Sequence, residues 1–293
     1  MGITGPAHFG FERQWLSKAI KNIPSNPNLF EKNNIEMAQY LLGLGNRQVL
    51  AIEYWLRCSD LIEKCENITR LTRLGEIIRL HDPYFEEIET WLCLHHKLCL
   101  NQNNASTYWF AFRKMPIEFK RRDLIESMKL EFPGKSERTY NDAVSVFYSI
   151  VNKTEINSLC RLVTIDDDEI NQSINPKCMN SGIFSYVMCD WAQLYNKETA
   201  NISELIEDIG PSKPFNLTKD TINCLLDQIQ DRYLKKVLWV SRTAGLNSIT
   251  FSGNIDPLAL IIAYYLQHLE GIDPIVALRR GIEENDKLKD ERK

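Results

Sequence analysis

The stretch LLGLGNRQVLAIEYWLRCSDLIE, Leu41–Glu63, constrains the fold more than any other part of the chain. Gly43 and Gly45 interrupt an apolar run, and Asn46 stands where a helix cap is preferred. Val49, Ile52, Trp55 and Leu56 then recur at helical spacing and make one face of the next helix apolar. The opposite face carries Arg47, Ala51, Tyr54, Arg57 and Cys58. Such a face, on a helix packed by its other side, suits a DNA groove. Leu61–Lys64 and Ile68–Leu71 read as short strands joined by the polar turn Cys65-Glu66-Asn67, a wing. Helix, glycine turn, helix and wing predict a winged-helix module. The competing reading is an ordinary helical pair in a globular core.

The flanking sequence completes that module. A helix is expected over Glu12–Ile23, burying Trp15, Leu16, Ala19, Ile20 and Ile23 and stopped by Pro24 and Pro27. Another runs Asn34–Leu42 into the glycine turn. His81-Asp82-Pro83 marks a boundary, so the first domain is residues 1–83.

A second helix-turn-helix module is expected over 84–154. Phe85–Leu100 and Ser106–Lys114 read as helices. His95 and His96 are adjacent in the first, about 100° apart around a helix, which is awkward for shared metal ligation. Phe119–Leu130 reads as one amphipathic helix, Pro133-Gly134 as a turn, and Ser136 as the cap of a further helix. That helix buries Tyr140, Ala143, Val144, Phe147 and Val151, and shows Arg138, Asn141, Asp142, Ser145 and Ser149 outside. Arg113, Lys114, Lys120, Arg121, Arg122 and Lys135 form the densest basic patch in the chain. They are read either as a solvated charged face or as phosphate contacts that seat the helix. The candidate DNA contacts are Arg47, Tyr54, Arg57, Lys120, Arg121, Arg122, Arg138 and Asn141.

Residues 155–293 predict a C-terminal helical domain with a β-hairpin, a degenerate winged helix. Gly182–Tyr195 is an aromatic-rich helix, and Thr218 caps another. A hairpin is centred on Thr243–Asn247, followed by a closing helix DPLALIIAYYLQHL. The polar helical tail Pro274–Lys293 is expected to fray. The fold class is therefore mainly α with short β wings, in tandem winged-helix and helix-turn-helix modules.

Asp166-Asp167-Asp168-Glu169 is an acidic run beside the apolar Leu162–Ile165. Clustered carboxylates can hold Mg2+ or Mn2+ for phosphodiester cleavage. If the segment is a strand, Asp166 and Asp168 share one face and are the candidate catalytic and metal-binding residues. The plainer reading is a helix terminus or a solvated turn.

Of the 293 residues, 44% are apolar and 25% charged, as in an ordinary globular protein. The formal net charge of −4 argues against non-specific coating of nucleic acid. It leaves room for a local basic face, since charges act over a Debye length of roughly 8–10 Å. None of the eight cysteines forms a CxxC pair, so a zinc ribbon is not expected. No apolar run reaches membrane-spanning length and no signal-peptide pattern opens the chain, so a cytoplasmic location and no membrane partner are expected. A GK[ST] phosphate loop, GxSxG, HExxH and a dinucleotide fingerprint are all absent. None of the five histidines sits in an interpretable motif.

The order of segments resembles the bacterial family of domain of unknown function (DUF) 4007. The resemblance runs through HFGFERQWLSKAI, LGLGNRQVLAIEYWLRCSDLIE, TRLGEIIRLHDPYFEEIETWLCLHHKL, YWFAFRKMPIEFKRRDLIESM and SERTYNDAVSVFYSIV. It is looser at IFSYVMCDWA and RTAGLNSITFSGNIDPLALIIAYY. In the family the fifth segment reads Ser, two variable residues, Thr, then Asp three later, here Ser136, Thr139 and Asp142. Members are encoded beside PAPS-reductase-like proteins and ATPases in DNA phosphorothioation systems. One relative nicks a single strand so that sulfur can enter the backbone.

The resemblance therefore implies a double-stranded-DNA-binding component of a phosphorothioate modification and antiphage defence system. Nicking of one strand, and reductase and ATPase partners, are implied with it; the chemistry of phosphodiester cleavage adds the expectation of a divalent-metal-dependent endonuclease. No family motif carries the nicking residues over to numbered positions. Two alternatives stand: a non-catalytic winged-helix transcriptional regulator, and an adaptor that docks the reductase and ATPase.

Overall fold

The computed structural model describes all residues except 1, 2, 4, 6, 7, 67, 244, 245 and 293. Asn67 in the first expected turn, and Ala244 and Gly245 in the hairpin expected around Thr243–Asn247, thus lie outside the described residues. The chain is mainly helical, with small antiparallel sheets, and divides into two compact units, Met1–Ser173 and Ile174–Lys293.

The first unit opens with α1 (Arg13–Asn22) and α2 (Ile35–Leu42). Gly43 ends α2 in the left-handed conformation at φ +66°, which a side chain would resist. The side chain of Gln48 then accepts the Gly45 N–H at 2.9 Å and starts α3 (Asn46–Cys58). β1 (Ile62–Cys65) pairs with β2 (Ile68–Leu71), Ile62 opposite Leu71, so the expected hairpin forms. Thr72 caps α4 (Arg73–His81), its hydroxyl accepting the Gly75 N–H at 3.0 Å. A Cβ on Gly75 would lie 2.1 Å from the Leu61 carbonyl oxygen, so only glycine lets this helix close on the hairpin.

Next come α5 (Ile88–Leu100), α6 (Ser106–Arg113), β3 (Glu118–Lys120), α7 (Arg121–Glu131), α8 (Glu137–Lys153), the short α9 (Glu155–Ser158), β4 (Val163–Asp166) and β5 (Glu169–Gln172). The sheet order is β3-β5-β4. The sequence reading extended one helix back to Phe119. The Asp123 carboxylate instead accepts the Lys120 backbone N–H at 3.0 Å and stops the helix there. Phe119 stands opposite Ile170 in the sheet, both buried. Because β4 and β5 pair with β3, residues 155–173 close the first unit, Met1–Ser173.

Its core joins two aromatic clusters. Phe11 lies 5.8 Å from the Trp55 ring and stacks 6.5 Å from Trp91. His95 meets Phe112 edge-on at 4.4 Å, and its Nδ1 is 2.8 Å from the Tyr108 hydroxyl. Both His95 and His96 are buried.

The second unit repeats the helix, strand, helix pair and hairpin order. Asn180 caps α10 (Ser181–Leu194), accepting the Gly182 and Ile183 N–H groups at 3.0 and 3.1 Å. β6 (Thr199–Asn201), α11 (Ile202–Ile206), α12 (Lys219–Arg232), β7 (Leu238–Thr243) and β8 (Leu246–Phe251) follow, with sheet order β6-β8-β7. Thr218 caps α12 as the sequence predicts. α13 (Pro257–Glu270) and α14 (Pro274–Asp290) complete the unit. The tail expected to fray is a continuous helix because Ala277 and Leu278 are buried and Gly281 lets the two helices touch. A Cβ there would sit 2.4 Å from the Ala259 carbonyl oxygen. Among the described residues, no helix is long and apolar enough to cross a membrane.

Candidate functional site

α8 presents a polar face to solvent. Gly134 turns the chain at φ +83°, and the Ser136 hydroxyl caps the helix by accepting the Thr139 N–H at 3.2 Å. The Tyr140 hydroxyl donates to the Phe132 carbonyl at 2.6 Å and accepts the Lys135 N–H at 3.3 Å, tying the turn to the helix. Tyr140, Ala143, Val144, Phe147 and Val151 are buried, as their spacing predicts. Arg138, with a side chain 89% exposed, stands outside with Asn141, Asp142, Ser145 and Ser149.

Asp142 lies between the Arg138 guanidinium and the His8 imidazole. Its Oδ2 is 3.7 Å from Arg138 Nε and 3.8 Å from His8 Nδ1. His8, which the sequence reading left without a role, arrives from the other end of the unit. No local pattern could have linked residues so far apart in sequence.

The basic patch separates into different environments. Lys120 and Arg122 are exposed, as are Lys114 and Lys135. Arg121 is half-buried: it donates from Nη2 to Ser145 Oγ at 2.6 Å and to the Asn141 carbonyl at 3.3 Å. Its guanidinium carbon also lies 5.2 Å from the Tyr148 ring centroid. Burial, with the Asp168 carboxylate adding to it, pushes the Tyr148 hydroxyl up to about 12, so it stays protonated and donates to the Asp168 carbonyl at 2.9 Å. Arg121 thus braces α8 and the β4–β5 hairpin. Arg113, read from sequence as part of the patch, is buried, and its Nε donates to the Cys99 carbonyl at 2.5 Å. Tyr108, Phe110 and Phe112 bury α6 around it.

On α3, Arg47 and Arg57 are exposed. Tyr54 is half-buried: its hydroxyl donates to the Asn104 carbonyl, and its ring meets Trp55 edge-on at 5.2 Å. Ala51 and Cys58, read as outward, are buried. This helix is packed on two sides, so its open face is narrower than its periodicity implies. Leu50 stands there between the two arginines, also exposed.

The acidic run forms the end of the β4–β5 hairpin. Asp166 pairs with Glu169, and Asp167 turns the chain in the left-handed region at φ +49°. The expected strand forms, but its alternation ends at Asp166, so it does not by itself set Asp168 on the same face. Asp166 and Asp168 are both exposed. Among the described residues, no three His, Cys, Asp or Glu side chains gather as a metal-holding group.

Residues 7–150 match the model of the family described as "Protein of unknown function (DUF4007)". No curated protein matches the chain. Two solved structures share the fold. A magnesium ion-bound SspB crystal structure superposes with a TM-score of 0.75 at 17% identity, over 96% of this chain and 97% of that one. A second SspB crystal structure gives 0.73 at 18% identity, over the same 96% and 97%.

Proposed function

We propose that this DUF4007-containing chain is the DNA-binding component of a bacterial DNA phosphorothioate modification and antiphage defence system, and that it nicks one strand before sulfur incorporation. The observation that carries the reading is the twice-repeated order of a strand, two helices and a hairpin, with the first strand paired to the last in β3-β5-β4 and β6-β8-β7. We read that order as a winged helix, a fold whose second helix enters a DNA groove. In the first repeat that helix is α8, with its polar face and the flanking Lys120 and Arg122. The helix pair α2–α3 followed by the β1–β2 hairpin is read as a further module, with Arg47 and Arg57 toward DNA. The sequence resemblance to the family, and the fold shared with SspB, support the choice of system. A PAPS-reductase-like protein and an ATPase are the expected partners.

A magnesium ion belongs to one of the structural relatives. In this chain Asp166 and Asp168 supply exposed oxygen donors at a hairpin end, too few for a closed cage. Two such carboxylates would have to share an ion with phosphate oxygens and water, as in open sites that use one or two carboxylates. Bound there with DNA, Mg2+ or Mn2+ would neutralise charge at the phosphate.

The second reading is an adaptor or transcriptional regulator without catalysis, favoured by the absence of a gathered carboxylate set among the described residues. Supercoiled plasmid incubated with the protein, its partners and each metal separates the two. Conversion to open circles supports nicking. Tight, salt-dependent binding without conversion supports the regulator, and no binding to duplex DNA overturns the nicking and regulator readings and leaves an adaptor that docks the reductase and ATPase.

A further inference from the structure

The N-terminal segment is fixed against α8 and α3 by independent contacts. The Trp55 indole N–H donates to the Phe9 carbonyl at 2.8 Å. Gly10 lies so close to α8 that a Cβ would fall 2.8 Å from Ile150 Cγ1. Phe11 is buried between Trp55 and Trp91, and Lys153 pairs with Glu12 at 3.0 Å. Just before these anchors, His8 holds a left-handed backbone at φ +56°, a conformation uncommon for a side-chain-bearing residue and enriched at functional sites. Its ring is 57% exposed, with Nδ1 3.8 Å from the Asp142 carboxylate.

We infer that His8 and Asp142 form a general-base dyad acting on a DNA phosphodiester, with Arg138 as the anion-stabilising group. The inference rests on the nicking reading above and names the residues for it. An imidazole oriented through one nitrogen by a carboxylate is prepared to accept a proton at the other. The 3.8 Å separation is longer than a hydrogen bond, and the dyad requires it to close to roughly 2.6–3.2 Å when DNA binds. His8 Nε2 takes a proton from a water molecule as its oxygen attacks phosphorus. A phosphorus–oxygen bond forms to the water oxygen, and the bond to one sugar oxygen breaks. The departing oxygen takes a proton from solvent, and His8 returns its proton to solvent. The sum is the addition of one water across one phosphodiester. The Arg138 guanidinium, on a side chain 89% exposed, turns from Asp142 to meet the charge that develops on the phosphoryl oxygens. Asp142 is a positioning residue, since it acts through His8.

The test uses the full-length protein with its partners and supercoiled plasmid, in Mg2+, Mn2+ and chelator arms, with DNA binding measured in parallel. His8→Gln should slow nicking by about 100-fold or more, with plasmid affinity unchanged. Asp142→Asn should slow it by about tenfold with plasmid affinity unchanged, and Asp142→Glu should recover part of the loss. Added imidazole should partly restore His8→Gly. Wild-type nicking with His8→Gln equally active overturns the dyad and leaves the nicking reading standing. No nicking by the wild-type protein in any arm overturns both.

Discussion

Arg121 and Ser145 are joined by a 2.6 Å hydrogen bond from guanidinium to hydroxyl, which fastens α7 to the polar face of α8. Neighbouring Lys120 and Arg122 are exposed. Three consecutive cations therefore divide into one brace and two groups open to a phosphate backbone.

Lys120→Ala and Arg122→Ala should each leave stability within about 0.5 kcal/mol and flatten the plot of log binding constant against log salt by about 0.9 per lost phosphate contact. Arg121→Ala should lower stability by about 1 kcal/mol, through loss of the bond to Ser145 and the contact with Tyr148. Urea unfolding and salt-titrated DNA binding check both. An unchanged salt slope in the Lys120, Arg122 double variant would remove this patch from the interface.

On α3 the exposed and half-buried candidates should also part. Arg47→Ala should weaken binding to a preferred DNA site by roughly 1–3 kcal/mol, if it pairs with a base edge. Tyr54→Phe removes the bond to the Asn104 carbonyl and should cost about 1 kcal/mol of stability with little change in DNA affinity. A Tyr54→Phe variant of normal stability and poor affinity would return Tyr54 to the interface.

Asp166→Asn together with Asp168→Asn should abolish divalent-dependent nicking while duplex binding survives. Asp167→Asn, at the left-handed turn position, should be mild because asparagine tolerates that backbone. Full nicking by the double variant would rule out this ion site.

Gly281→Ala should destabilise the second unit by about 1–3 kcal/mol, since the new methyl group would meet the Ala259 carbonyl oxygen where α13 and α14 touch. Calorimetry of the full chain should show a lowered unfolding transition. An unaltered thermogram would mean the helices can separate freely.

The sequence alone determined what depends on neighbours three or four residues away. Ser136 and Thr218 cap their helices, Pro133-Gly134 turns the chain, and Arg138, Asn141, Asp142, Ser145 and Ser149 share the open side of α8. These follow from helical periodicity and the hydrogen-bonding needs of helix ends. The β1–β2 hairpin was legible for a similar reason, since two short alternating strands flank a polar turn. Tertiary structure alone decided which of these open positions stayed open. Arg113 is buried because α6 is surrounded, and Ala51 and Cys58 because α3 is packed on two sides. β3 is a strand because β5, far along the chain, pairs with it. His8 meets Asp142 only because Gly10 lets the N-terminal segment lie against Ile150. A periodic pattern specifies which residues share a face, but the distant segment that covers that face is selected by packing of the whole unit.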